Sequence, residues 1–108
     1  MITVTVTPQN RENLYGLLIK KEVSLRRSNK GTLHRAASKK KNQAKWVHRE
    51  YKGWINLQKC LGGVTVAIVQ SKSRGSEWQL LSSFVGFLDR HFRDSIASIN
   101  LSYGREGD

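Results

Sequence analysis

The chain has 108 residues and no tract long or polar enough to separate two cores, so a single domain is expected. Nineteen Lys and Arg stand against eight Asp and Glu, a net charge of +11. The lone Cys60 excludes an intramolecular disulfide, and three dispersed histidines give no zinc-ligand spacing, so a reducing compartment and neither metal nor cofactor are expected.

Ile2, Val4 and Val6 alternate with threonines up to Pro8, the period-two pattern of a half-buried strand. This opening has no basic n-region, and no apolar stretch nears the ~18 residues of a membrane span, so a cytoplasmic protein without a membrane partner is expected. Leu14, Leu17 and Leu18 have helical spacing after a possible Asn10 cap, predicting a short helix within residues 9–21 despite Gly16.

From Val23 the pattern predicts strands. Val23 to Ser28 and Thr32 to Ala37 flank the turn signal Asn29-Lys30-Gly31 and read as a hairpin. Residues 38–43 are polar with three adjacent lysines and should form a flexible basic loop. Lys45 to Tyr51, Trp54 to Cys60 and Val64 to Ser71, separated by Lys52-Gly53 and Leu61-Gly62-Gly63, form a three-stranded meander. The last of these strands is apolar or small on both faces and should be a central strand covered on both sides or deep in the sheet.

Ser76, with Gln79 three residues on, has capping-box spacing and should start a helix. Leu81, Phe84, Val85, Leu88 and Phe92 form its apolar stripe, while Asp89, Arg90 and Arg93 lie off it. Ala97, Ile99, Leu101 and Tyr103 then alternate with polar residues as a final strand with one buried face, and 104–108 is a tail. The expected fold is α+β: a mainly antiparallel sheet with one long C-terminal amphipathic helix packed on it and a strand after that helix, a two-layer sandwich.

The charge is concentrated. Residues 20–59 hold thirteen basic and two acidic side chains and carry the whole +11, while the rest of the chain balances to zero. A block of this density attracts polyanions, because nucleic acid releases counterions when Lys and Arg neutralise its phosphates. Arg26, Arg27, Lys30, Arg35, Lys39, Lys40, Lys41, Lys45 and Arg49 are the candidate phosphate contacts, with Trp46 and Tyr51 as candidate stacking residues. Trp54 and Trp78, each at the start of an element, are expected in the core.

Strand alternation also places Trp46, His48 and Glu50 on one face, so His48 and Glu50, with Arg49 beside them, could act as an acid–base pair on a ribose hydroxyl. A surface charge pair would give the same His-x-Glu pattern. Cys60 beside Leu-Gly-Gly reads as a buried structural thiol and Gly62-Gly63 as a hairpin turn. The sequence therefore points to a non-catalytic binder of RNA or DNA, with two alternatives: a small toxin-type endoribonuclease, and a module that receives an acidic protein. A homodimer is compatible with all three.

Overall fold

The computed structural model describes residues 1–36 and 40–104. Six strands form one antiparallel sheet: β1 (Ile2–Pro8), β2 (Leu33–Arg35), β3 (Gln43–His48), β4 (Trp54–Lys59), β5 (Thr65–Gln70) and β6 (Ile96–Tyr103). Their spatial order is β2-β3-β4-β5-β1-β6, so β5 and β1 are interior, β2 and β6 are the edges, and the meander β3-β4-β5 is as the sequence predicts. Two helices pack on the sheet, α1 (Leu14–Arg27) and α2 (Arg74–Phe92). The architecture is α+β with a two-layer core, although two helices, not one, form its second layer.

Register explains the layering. One set of rows runs Trp46–Ile55–Val69–Ile2 and Ala44–Leu57–Ala67–Val4 across β3, β4, β5 and β1. All eight are buried and join Leu14, Leu18, Leu80, Leu81, Phe84 and Leu88 of the helices in one cluster. The intervening rows, Lys45–Asn56–Ile68–Thr3 and Gln43–Gln58–Val66–Thr5, face the other way, and none of them is buried. One face of the sheet is thus sealed by helices and the other is uncovered.

The expected hairpin over residues 23–37 is corrected: Val23 to Arg27 continue α1, and among the described residues, which leave out Ala37, only Leu33 to Arg35 of the second arm form a strand. The turn signal is real but ends a helix. Asn29 takes a left-handed conformation (φ 57°), Lys30 N donates to Leu25 O (2.8 Å) and Asn29 N donates to Arg26 O (3.1 Å), the two bonds of a Schellman cap. The buried stripe of α1 runs Leu14, Leu18, Glu22, with Leu25 packed against the same core. Its charged member disguised the helical period.

The N-cap of α1 is Asn13, not Asn10: its Oδ1 accepts from Gly16 N at 3.2 Å. A Cβ on Gly16 would stand 2.7 Å from the Asn13 amide, so glycine is what lets this cap close. The second helix begins two residues before Ser76, with Ser73 in the cap position making no side-chain cap bond. Its stripe is as expected at Leu81, Phe84 and Leu88, but Trp78 is 61% exposed and is not a core residue. The final strand also differs: Ala97, Leu101 and Tyr103 are exposed and only Ile96 and Ile99 are half-buried, because β6 is an edge strand with an open groove between it and α2. Cys60 is half-buried, and the residues after it form a short turn with Gly62 and Gly63 at positive φ. Of the expected flexible loop, Lys39 lies outside the described residues, Lys40 bridges to Gln43, and Gln43 already belongs to β3; the tail beyond Gly104 is likewise outside them.

Candidate nucleic-acid interface

The strand order decides where the basic block lies. Residues 20–59 fold into the C-terminal half of α1, β2, β3 and β4, which adjoin one another at one side of the sheet. Arg26, Arg27, Lys30, Arg35, Lys40, Lys41, Lys45 and Arg49 are all exposed there. Lys39 falls outside the described residues. Among the described residues no strand contains an Asp or Glu, so within the strands nothing opposes this charge.

Arg26 is already engaged. Glu22, 2% exposed, accepts from Arg26 Nε (2.9 Å) and Nη2 (3.4 Å), and its Oε2 faces His34 Nδ1 at 3.3 Å. The other ring nitrogen of His34 faces Gly31 O at 3.2 Å. A buried carboxylate held by the Arg26 guanidinium and facing the His34 ring ties the end of α1 to β2 and satisfies a charge that would otherwise be costly to bury. Among the described residues no other member of the predicted basic set pairs with a carboxylate. Lys45 projects from the uncovered face.

Trp46 cannot stack on a base. It is fully buried, edge-on to Phe84 (centroids 6.3 Å) and Phe87 (5.4 Å), as the core centre of β3. Trp54 reverses the other expectation. It is half-buried on the uncovered face, its Nε1 donates to Gln70 Oε1 at 3.1 Å, and the Lys45 ammonium stands 5.2 Å from its ring centroid. That hydrogen bond fixes the indole plane and the ammonium marks the ring face as reachable from solvent. Beside this pair is a shallow depression of about 350 Å³, with Lys40, Gln43, Lys45 and Asn56 around an apolar floor of Val66 and Ile68.

Tyr51 is half-buried and stacks on His48, with ring centroids 4.3 Å apart and planes 22° from parallel. The β3 strand ends at His48, so the expected alternation does not reach Glu50. Instead the backbone N–H groups of Glu50 (2.9 Å) and Tyr51 (3.3 Å) donate to His48 Nδ1. Burial pushes the His48 pKa down, with the Glu50 charge acting in the opposite direction. His48 therefore organises the β3–β4 turn, and no side-chain hydrogen bond joins it to Glu50 or Arg49 among the described residues. Arg49 itself is exposed and its N–H donates to Thr32 O at 2.9 Å.

The sequence reading missed Trp54, Asn56, Gln58, Val66 and Ile68 as surface residues. Their common signal is parity: each occupies the strand position opposite a buried neighbour. Among the described residues no group of three or more His, Cys, Asp or Glu is placed to hold a metal ion, and no helix is long and apolar enough to cross a membrane. No family model, curated protein or solved structure matches the chain.

Proposed function

We propose that this protein is a non-catalytic nucleic-acid-binding module that receives a single strand across the uncovered face of its sheet. The observation that carries the reading is the coincidence, on one sheet face whose strands hold no acid, of the exposed Lys40 and Lys45, a solvent-reachable indole at Trp54 and an apolar floor at Val66 and Ile68. Cations meet phosphates, the indole offers a π-face to a base, and the amides of Gln43, Asn56 and Gln58 offer hydrogen bonds to base edges. A broad sheet face favours a splayed single strand, because a duplex major groove is entered by a helix or a two-stranded ribbon.

The test is an anisotropy titration of labelled single-stranded RNA and DNA with the wild type and the Lys40→Gln/Lys45→Gln variant. Each lost phosphate contact should lower the slope of log K against log salt by roughly 0.7. An Arg90→Gln control on α2 should bind as the wild type does. Equal binding by the double variant would overturn the assigned surface, and binding only to an acidic protein would overturn the reading itself.

A further inference from the structure

The two edges of the sheet are built differently. The β2 edge is three residues long and carries Arg35, which is how an edge strand is protected from pairing with another chain. The β6 edge is eight residues long, Ile-Ala-Ser-Ile-Asn-Leu-Ser-Tyr, with no charge and no proline. Beside it, α2 and β6 enclose a groove of about 540 Å³ lined by Trp78, Val85, Ile96, Ile99 and Leu101. Trp78 and Leu101 in the groove are 61% and 43% exposed, and Tyr103, further along β6, is 61% exposed, so three of the five exposed large apolar side chains among the described residues lie on these two elements. The charged residues at its rim, Asp89 and Arg93, are closed on each other at 2.7 Å and add no net charge.

We infer that β6 and this groove form a homodimer interface, in which β6 pairs antiparallel with β6 of a second copy across a two-fold axis. Charge leaves this edge, and not the other, open to a second copy. Two molecules of net charge +11 repel wherever their basic sides meet, and β6 lies at the opposite edge from β2 and β3, the side on which the basic residues 20–59 gather. A second copy also brings the matching strand by construction, since an isologous contact requires only that one surface complement itself. With Asn100 on the axis, Ile99 lies opposite Leu101 of the partner subunit and Ser98 opposite Ser102 of the partner subunit. Apolar then meets apolar on the groove side and polar meets polar on the other. The two sheets would join into one of twelve strands whose basic ends point outward, and the uncovered faces would be continuous.

Sedimentation equilibrium of nuclease-treated protein in high salt tests this. The expected species has twice the 12.3 kDa monomer mass, and high salt should not weaken it, in contrast to nucleic-acid binding. Leu101→Lys and Leu101→Glu are exposed replacements, and each alone should weaken self-association by about a hundredfold or more, because each new charge would be set against the apolar Ile99 of the partner subunit and diagonal to the like charge of the second copy. An equimolar mixture of the two variants should restore the dimer, which also shows that both are folded. A wild type that stays monomeric at all concentrations, a Leu101→Lys protein that still dimerises, or a mixture that does not recover would each overturn the assignment.

Discussion

The Lys45 ammonium lies 5.2 Å from the centre of the Trp54 ring, on the sheet face that no helix covers. The pair holds a cation and a π-surface together, the two elements a single-stranded ligand uses. In the proposed binding mode a phosphate would draw the ammonium away and leave the indole face to a base. Trp54→Leu should therefore weaken binding of a single-stranded oligonucleotide by about 1–3 kcal/mol, the range for one stacked base. Trp78→Phe, on α2, should leave it unchanged. Identical affinities for the Trp54→Leu variant and the wild type would remove stacking from the mechanism.

Trp46 should behave as its opposite. Trp46→Ala opens a cavity between β3 and α2 and should cost about 3–5 kcal/mol, much of the stability of a domain this size. Trp46→Phe keeps the packing against Phe84 and Phe87 and removes an indole N–H that has no hydrogen-bond partner, so it should cost less. Thermal melts measure the difference. A folded Trp46→Phe protein that no longer binds nucleic acid would mean that this residue acts on the ligand after all.

Acidification should destabilise the fold through His48. Its Nδ1 accepts two backbone N–H bonds, and protonation would turn that acceptor into a donor. Burial lowers its folded pKa, and His91 is lowered in the same way by burial and by the positive charges of Lys21 and Arg90. The unfolded chain takes up protons near the ordinary value of about 6.5 while the folded chain resists. Stability is therefore undiminished above that value, falls as pH drops through it, and levels off below the lowered folded pKa values. Urea midpoints should be lower at about pH 5 than at about pH 7.5, and His48→Gln should reduce the difference. A midpoint that rises on acidification would contradict this role.

The cap of α1 offers a test of how local chemistry is read. Asn29 at φ 57° carries the backbone penalty of the left-handed region, which glycine does not. Asn29→Gly should be neutral or stabilising by up to about 1 kcal/mol, and Asn29→Val should cost more than about 1 kcal/mol. Urea unfolding checks both. Equal stability of the glycine and valine variants would contradict the cap.

Strands β1, β3, β4 and β5, the long α2 and the two-layer α+β arrangement are legible in the sequence because their apolar periods are uninterrupted. The second half of α1 is not, because Glu22 occupies a buried position of the stripe and its partner His34 comes from another element. An Asn-x-Gly signal after it fits a hairpin or a helix cap equally well, and only tertiary packing chooses. The charge block is legible as a count, but which faces it occupies depends on register. One residue of alternation sends Trp46 into the core, while Trp54, at the start of the next strand, lies on the surface. Likewise β6 alternates as a buried strand should, yet it lies at the sheet edge and its apolar side opens into a groove beside α2.

The most direct measurement is the affinity for single-stranded RNA, single-stranded DNA and duplex DNA at two salt concentrations, with the RNA examined afterwards for cleavage. Tight binding to single strands that falls steeply with salt, weaker binding to the duplex and intact RNA are the expected results. Absent or salt-insensitive binding, or cleavage abolished by His48→Ala, would contradict a non-catalytic single-strand module.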